Sequence, residues 1–324
     1  MNGSQLNTTC LGIVSVMLII GIMVTHFYPT RSWFCDSTDY FLPIMSQQDQ
    51  EDFMHLLRVF QKVVEANNIS YVLISGSAIG AMRHHGMIPW DDDIDIMLDG
   101  DKIDLVDQVL SHLAPTYELH KRVFPSLYNG LAGWKLCFAN KSRTYWVNSF
   151  RWPYLDLFFY KQNATHWIPQ TTIAPILKSH VFPLRRAPFG LIMSKNPNIS
   201  QLLWLPIPCR VQYVGAFGVC ASRSFSHLLE LPIFLGFQRN LQCEHLHSNF
   251  PFVYNNHTNT SESETRIEEL RVGTTIYYRL RLEQPRCDGS WSHSSTPFQI
   301  RSSALYTYEN TVPEYVVTGF KQPW

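Results

Sequence analysis

Residues Gly76 to Ile96 read GSAIGAMRHHGMIPWDDDIDI and combine a Gly-Ser turn, a short helical segment and four aspartates within 21 residues. The preceding run Tyr71-Val72-Leu73-Ile74 is apolar and predicts a short strand, and residues Ala78 to Arg83 can wind a short helix. A strand–turn–helix connection leaves backbone N–H groups at the start of the helix, where a phosphate binds well. The stretch therefore predicts a phosphate-binding turn at Gly76-Ser77.

The aspartates follow Pro89-Trp90, where we expect the chain to become extended. Because alternate side chains of a strand lie on opposite faces, Asp91, Asp93 and Asp95 share one face, and the isoleucines beside them point into a core. Three neighbouring carboxylates repel one another unless a cation neutralises them, and oxygen ligands of this kind suit Mg²⁺ or Mn²⁺. A solvated acidic loop is the alternative, but the alternation with apolar residues favours a metal site.

This pattern resembles the LicD family, which includes the fukutin-related proteins. Proteins of that family carry G-[ST], then an Arg, then P-W-D-x-D-h-D, and the matching positions here are Gly76, Ser77, Arg83, Pro89, Trp90, Asp91, Asp93 and Asp95. The resemblance extends from about Ser46 to about Ser200. It implies an α/β (α+β) nucleotidyltransferase fold of the polymerase-β type, in which helices flank a mixed sheet.

A second acidic position lies in the apolar run YLDLFFY, residues Tyr154 to Tyr160, which predicts a strand. An isolated carboxylate in such a strand is unfavourable unless it is paired or binds a metal ion. The family has an h-D-h-F strand with an acidic residue near the metal site, and Asp156 is the matching position. The alternative is an aspartate on an edge strand that faces water.

The resemblance also implies an activity and residue roles. The expected enzyme is a LicD-type phosphotransferase that uses Mg²⁺ or Mn²⁺ to move a phosphate-linked group, of the phosphocholine or polyol-phosphate type, from a CDP-activated donor to a glycan. The implied metal ligands are Asp91, Asp93, Asp95 and Asp156, and the last three of these are the implied catalytic residues. The implied substrate-binding residues are Gly76, Ser77 and Arg83.

The N-terminal segment predicts a membrane anchor. Residues 10–28 carry no charge over 19 positions, enough to span a bilayer as a helix. The short tail before it, residues 1–9, lacks the basic residues of a signal peptide, and no small-x-small cleavage site follows. We therefore predict an uncleaved anchor, with a cleaved signal as the alternative, followed by a stem at residues 29–45.

The sequence after this segment predicts a lumenal location. Glycosylation sequons occur at Asn68, Asn140, Asn163, Asn198, Asn256 and Asn259. An even number of cysteines, which permits three disulfides, lies at Cys35, Cys137, Cys209, Cys220, Cys243 and Cys287. We expect a single-pass protein of the Golgi or endoplasmic reticulum membrane with a lumenal catalytic domain. The 26 basic and 26 acidic residues give no basic excess for nucleic-acid binding.

The lumenal part divides into a catalytic domain, residues 46–200, and a C-terminal region, residues 201–324, whose strand-type alternation predicts β structure. In the catalytic domain, apolar spacing predicts a helix after a Ser46 N-cap and a second helix from Lys102 to Leu113. Paired strands are predicted at Gly133 to Phe138 and Tyr145 to Val147.

Three further features have open interpretations. Lys135 could contact a nucleotide phosphate or be a surface lysine. His84-His85 could contact the donor, although an exposed loop is the default. The C-x-H-x-H cluster at Cys243, His245 and His247 has the wrong spacing for a usual zinc site, so coincidence or a disulfide is favoured.

Two other functions compete with the phosphotransferase. A nucleotide-sugar glycosyltransferase could use the aspartates as a D-x-D metal site, but the Gly-Ser turn would then have no role. A catalytically inactive binding protein of the secretory pathway would not need intact Asp91, Asp93 and Asp95, although the unmatched C-terminal region leaves this possibility open.

Overall fold

The computed structural model describes residues 37–43, 45–124, 131–141, 143–144, 151–170, 174–191, 199–210, 218–222, 240–259, 264–284, 299–302 and 313–318. By its internal contacts the chain divides into two compact units, Met1–Leu42 with Ala221–Leu241, and Pro43–Cys220 with Gln242–Trp324. In the first unit, Ser37–Phe41 forms a short 3-10 helix. The second unit contains every residue of the predicted site.

Helix α1 (Gln47–Ala66) confirms the helix predicted after Ser46. The Asp49 N–H donates to Ser46 Oγ at 3.2 Å, and the Asp49 carboxylate accepts from the Ser46 N–H at 2.9 Å, which forms a capping box. One face of α1 is buried in the main core and consists of Phe53, Met54, Leu56, Leu57, Phe60 and Val64. The helix therefore covers one face of the sheet that follows.

A mixed sheet carries the predicted site. The elements after α1 are β1 (Tyr71–Leu73), α2 (Ser75–His84), β2 (Ile94–Asp99), α3 (Ile103–Ser111), β3 (Tyr117–Phe124), β4 (Leu131–Phe138), β5 (Arg143–Thr144), β6 (Arg151–Trp152), β7 (Tyr154–Gln162), β8 (His166–Pro169), β9 (Ile176–Leu177) and α4 (Lys178–Val181). Seven of the strands form one sheet in the order β1-β2-β7-β4-β3, and β8 and β9 extend it from β7. Strands β2 and β7 are parallel, and the other neighbours are antiparallel. The mixed sheet with flanking helices confirms the α+β class.

The register of the sheet separates the face that packs into the main core from the face that carries the charged residues of the predicted site. On β2 and β7 the apolar face packs into the α1 core through Ile94, Ile96, Leu98, Leu155, Leu157 and Phe159. Since successive side chains alternate, Asp95 and Asp156 lie on the opposite face. Lys135 of β4 pairs in register with Asp156, so it shares that face. Three adjacent strands thus place these charged side chains on one face, and further along it Met97, Phe158 and Tyr160 pack in a second apolar cluster.

The remaining strands lie downstream. These are β10 (Arg185–Phe189), β11 (Leu203–Ile207), β12 (Val219–Ala221), β13 (Asn240–Gln242), β14 (Phe252–Asn259), β15 (Glu264–Val272), β16 (Thr275–Gln284), β17 (Gln299–Ser302) and β18 (Glu314–Thr318). Strands β10 and β11 pair with each other, and the last five form a sheet in the order β14-β15-β16-β18-β17. Its core contains Ile199, Trp204, Leu270, Tyr278, Leu280, Leu282 and Val317.

Several boundaries differ from the sequence-based expectations. The helix predicted from Lys102 to Leu113 is divided into a 3-10 turn, Gly100–Lys102, and α3. Strand β3 was not anticipated, and the strand predicted at Tyr145 to Val147 lies outside the described residues.

The predicted anchor at residues 10–28 also lies outside the described residues. Among the residues that the structure describes, no helix is long and apolar enough to cross a bilayer.

The cysteines do not all pair as the even count permits. Cys220 and Cys243 form a disulfide with an S–S distance of 2.08 Å, and Cys209 is also disulfide-bonded. Cys137, by contrast, is a buried free thiol whose pKa burial raises to about 11. Three disulfides that include Cys137 are therefore not formed. The register neighbours of Cys137 are Glu118 on β3 and Tyr154 on β7.

Candidate active site

Helix α2 holds the Gly-Ser turn against the aspartate strand. The helix begins at Ser75, three residues earlier than predicted, and the φ of 49° at Ser75 lets the chain turn sharply after β1. Ser77 Oγ accepts a hydrogen bond from the Asp95 N–H at 2.8 Å, and the Ile74 N–H donates to the Asp95 carbonyl at 3.2 Å. Both backbone groups of Asp95 are therefore fixed by the start of α2.

Gly76 allows a carboxylate to approach the first turn of α2. A Cβ added at Gly76 would lie 2.6 Å from Asp91 Oδ2, closer than a carbon atom tolerates. Any other residue at this position would therefore have to push the Asp91 carboxylate aside. This gives Gly76 a steric role beside Asp91, in addition to the phosphate-binding role that the sequence predicts.

Three carboxylates converge where β2 and β7 run side by side. Asp95 and Asp156 are direct partners in the parallel register, and Asp93 comes just before β2. One carboxylate oxygen from each of the three residues lies within 4.8 Å of the others. All three side chains are half-buried, so they are accessible but poorly solvated. A set of hard oxygen ligands at this spacing fits a divalent cation such as Mg²⁺ or Mn²⁺.

The electrostatics of Asp93 support that fit. The pKa of Asp93 is raised well above its usual range, mainly by burial. Repulsion from the nearby carboxylates raises it further, with effects that decrease in the order Asp95, Asp91, Asp92 and Asp156. Asp93 still keeps some solvent exposure. The metal-free site therefore concentrates negative charge that the surrounding residues do not fully neutralise, and a bound cation would relieve this repulsion.

The raised pKa of Asp93 predicts how metal-free stability depends on pH. A carboxyl whose pKa is higher in the folded state favours folding at pH values below its unfolded pKa, and it loses this contribution as pH rises through the folded pKa. We expect Asp93→Asn to become progressively more stable than the natural protein as pH increases from about 4 to 7. Chemical denaturation in the presence of EDTA measures this difference. A constant difference across that range would contradict the crowding of Asp93.

The chain before β2 departs from the predicted strand. Strand β2 begins at Ile94, so the alternation expected for Asp91, Asp93 and Asp95 does not extend back to Asp91. Oxygens of Asp91, Asp92 and Asp93 do lie within 4.8 Å of one another, which makes Asp93 a member of both groups. Asp92 itself is buried, and its carbonyl accepts from Trp152 Nε1 at 2.9 Å. The prediction of a single strand face is therefore wrong at Asp91.

Arg83 is buried on the Asp91 side of the site. Its guanidinium lies 5.9 Å from the centre of the Trp90 ring, and its Nε–H donates to His84 Nε2 at 3.1 Å. Burial lowers the pKa of Arg83 to about 10, and the attraction of Asp91 opposes that shift. Arg83 thus remains positively charged at neutral pH and balances part of the acidic cluster.

Asp156 is paired with a lysine at the centre of the sheet. Lys135 Nζ lies 2.7 Å from Asp156 Oδ1, and each side chain is only 14% exposed. Because β7 runs between β2 and β4, Asp156 is not on an edge strand, and that alternative is wrong. The same ammonium group lies 3.6 Å from the centre of the Tyr154 ring. The surface-lysine interpretation of Lys135 is also wrong, because the ammonium group belongs to the carboxylate cluster.

His84 and His85 are both fully buried, so the prediction of an exposed loop at these residues is wrong. His84 Nδ1 donates to the Pro251 carbonyl at 2.5 Å while its Nε2 accepts from Arg83, and burial lowers the pKa of His84 well below its ordinary value. The ring of His84 is therefore neutral.

The C-terminal region supplies the partners of this segment. His85 Nε2 lies 2.7 Å from Glu268 Oε2, and its Nδ1 lies 2.8 Å from Tyr278 Oη. The rings of Trp90 and Phe250 have centroids 5.3 Å apart. These contacts join the end of α2 to β15 and β16, and Trp90 to Phe250 just before β14. No local pattern predicts these contacts, since the partners are more than 150 residues apart.

The disulfide between Cys220 and Cys243 also contacts α2. An Arg83 guanidinium nitrogen lies 3.8 Å from Cys243 Sγ, and Cys243 is bonded to Cys220. The disulfide interpretation of the C-x-H-x-H cluster is confirmed at Cys243, which leaves this sulfur unable to bind zinc.

A comparison of the sequence with known families matches the part of the chain that carries this site. Residues 68–199 match the family described as LicD/FKTN/FKRP, nucleotidyltransferase domain. These residues form a LicD family domain. The LicD domain contains all the predicted site residues, from Gly76 to Asp156, and also Lys135. The C-terminal strands that contact α2 lie beyond it.

Curated relatives resemble only a short part of the chain. A lipopolysaccharide cholinephosphotransferase LicD of Haemophilus influenzae is 47% identical over 49 residues, which are 15% of this chain and 18% of that protein. An uncharacterized protein of Rickettsia typhi is 38% identical over 52 residues, 16% of this chain and 17% of that protein. The chain thus matches less than a fifth of the length of these relatives. The LicD domain suggests a transferase of the phosphotransferase type.

Proposed function

We propose that the protein is a metal-dependent transferase that moves a phosphate-linked group, of the phosphocholine or polyol-phosphate type, from a CDP-activated donor to a glycan. The observation that carries this proposal is the convergence of Asp93, Asp95 and Asp156 within 4.8 Å, inside a LicD domain. A mixed sheet with acidic residues on two adjacent strands also supports a nucleotidyltransferase fold of the polymerase-β type.

The reaction is a displacement at phosphorus. A glycan hydroxyl oxygen forms a bond to the phosphorus of the transferred group, the bond from that phosphorus to the CMP oxygen breaks, and the hydroxyl proton is released. Asp93, Asp95 and Asp156 would hold Mg²⁺ or Mn²⁺, and Asp91 would support them from the side of α2. When bound, the cation would neutralise phosphate charge and polarise the reacting oxygens.

The protein side chains would position the donor rather than react with it. Ser77 fixes the first turn of α2 to Asp95, so the positive end of the helix dipole lies beside the carboxylates. Gly76 leaves this approach open, and buried Arg83 adds a fixed positive charge. Rigid groups of this kind lower an activation barrier because they need little rearrangement during the reaction.

The donor class can be tested directly. The purified full-length protein is incubated with Mn²⁺, a glycan mixture and either CDP-choline, a CDP-polyol, a CDP-linked lipid or a nucleotide sugar. We expect release of CMP from a CDP-linked donor only. Turnover of a nucleotide sugar alone would favour the glycosyltransferase, and absence of turnover with every donor and acceptor would favour the inactive binding protein.

We also propose that the domain faces the lumen of the Golgi or endoplasmic reticulum, anchored through residues 10–28. Three sequon asparagines in the described part of the chain, Asn68, Asn140 and Asn163, are exposed and could accept a glycan. Expression in a eukaryotic secretory cell should therefore give a product whose mobility increases after endoglycosidase treatment. A triple Asn→Gln variant at these positions should show a smaller shift. An unshifted natural protein that cytosolic protease can digest would contradict this topology.

A further inference from the structure

A polar row crosses four neighbouring strands of the mixed sheet. His120 on β3 pairs in register with Lys135 on β4, which pairs with Asp156 on β7, which pairs with Asp95 on β2. Register partners project from the same face of a sheet, so the four side chains form one line. The line is acidic at the β2 and β7 end and carries a cation and an imidazole at the β4 and β3 end.

We propose that Lys135 binds the diphosphate of the donor, so that the donor lies across the sheet from the carboxylates towards β4. This inference rests on the proposed function and specifies where its substrate lies. Lys135 is a donor-binding residue in this account, and the ligand class is a nucleoside diphosphate or its phosphate-linked ester.

The ammonium group of Lys135 has the position and environment that this role needs. It lies 2.7 Å from Asp156 Oδ1, so a cation held by Asp156 and the ammonium group would both be within reach of one phosphate group. The side chain is only 14% exposed, which strengthens its attraction for an anion. The Tyr154 ring, 3.6 Å from Nζ, holds the flexible side chain in place.

Strand β3, which lies on the other side of β4 from β7, carries one acidic residue in the described part of the chain. The nearest acidic side chain in the described part of that strand is Glu118, which is 44% exposed and lies 3.6 Å from Arg151 Nε and 3.3 Å from His120 Nε2. Its charge is therefore already partly balanced by the Arg151 guanidinium. A cation held by Asp156 would weaken the 2.7 Å pairing between Asp156 and Lys135, so that the ammonium group could also bind a phosphate oxygen.

This role predicts two effects of opposite sign for Lys135→Met. Without donor, loss of a positive charge beside Asp156 should strengthen Mn²⁺ binding by about five-fold. With saturating Mn²⁺, loss of one charge-assisted hydrogen bond should weaken CDP binding by about ten-fold or more. A purely structural lysine would not change the two affinities in opposite directions.

Isothermal titration with Mn²⁺, CDP and inorganic pyrophosphate tests the proposal on the full-length protein. Lys135→Arg keeps the charge and should retain most CDP affinity, and it also guards against a folding defect in the Met variant. Lys121→Met is the matched control, because Lys121 lies in β3 on the opposite face and pairs with Asp107 at 2.8 Å. We expect this control to leave both affinities unchanged.

The outcomes separate this inference from the proposed function. If Lys135→Met binds CDP and pyrophosphate as tightly as the natural protein, Lys135 does not contact phosphate and the inference is overturned. If the natural protein binds pyrophosphate through Lys135 but does not bind CDP, the phosphate site stands and the CDP donor is wrong. If it binds neither anion in the presence of Mn²⁺, the inference is overturned.

Discussion

Asp93→Asn and Asp95→Asn are each expected to reduce metal-dependent release of CMP by at least about a thousand-fold. Both substitutions keep the size and shape of the side chain but remove the negative charge that would hold Mg²⁺ or Mn²⁺. Asp93 belongs to both carboxylate groups, and Asp95 lies opposite Asp156 in the parallel register. Neither variant leaves enough anionic oxygen to bind a divalent cation in the same position.

The matched control for these variants is Asp104→Asn. Asp104 lies in the first turn of α3, is exposed and is not part of either carboxylate group. It undergoes the same chemical change away from the site, so its turnover should stay within about two-fold of the natural protein, as expected for an exposed surface substitution. If Asp93→Asn or Asp95→Asn retained turnover at the level of this control, the assigned metal site would be incorrect.

Asp156→Asn is the second change with a large expected effect. Loss of its charge should reduce turnover by at least about a hundred-fold, because the cation loses one of three anionic ligands. The fold should be preserved, since the Asn amide oxygen can still accept the hydrogen bond from Lys135 Nζ. Initial rates with a CDP-linked donor and the thermal unfolding midpoint of the same samples measure the two effects separately.

The result that would contradict this role is near-normal turnover by Asp156→Asn with an unchanged unfolding midpoint. Asp156 would then serve only as the partner of Lys135. Lower turnover together with a large loss of stability would show a structural contribution, and Lys135→Met provides the comparison, because it breaks the same ion pair from the other side.

The local parts of the fold were accessible from the sequence. Ser46 and Asp49 form the capping box that their spacing suggests, and the apolar stripe of α1 is buried as its period predicts. The run from Tyr154 to Tyr160 is a strand, and Asp156 lies near Asp93 and Asp95 as the family resemblance implied. These features depend on neighbours within a few residues or on a family pattern.

The parts that were not predicted depend on contacts between distant segments. His84 and His85 look like a polar loop in the sequence, and their partners Pro251, Glu268 and Tyr278 lie more than 150 positions away. No periodicity of either segment encodes such pairing. The alternation expected for the aspartates fails at Asp91 for a different reason. Residues 91–93 precede β2 and lie outside its pairing with β1 and β7, which keeps the later residues extended.

The described C-terminal strands support the site through contacts with the end of α2. Glu268 is buried between His85 and Arg266, with 2.7 and 2.6 Å contacts. Burial alone would raise the pKa of Glu268. The positive charge of Arg266 and, after it, the hydrogen bond with His85 outweigh burial, so the pKa is lowered. The end of α2 is therefore fixed by an ionised carboxylate from β15, and a chain shortened before this strand would lose that contact.

Calorimetric titration with Mn²⁺ tests most directly whether Asp93, Asp95 and Asp156 together form one divalent-metal site. The natural full-length protein and Asp104→Asn should bind Mn²⁺ with equal affinity, whereas Asp93→Asn, Asp95→Asn and Asp156→Asn should each lose most of that binding. Because the titration needs neither donor nor acceptor, it does not depend on the choice of substrate. Equal Mn²⁺ affinity in the natural protein and all three carboxylate variants would contradict the account.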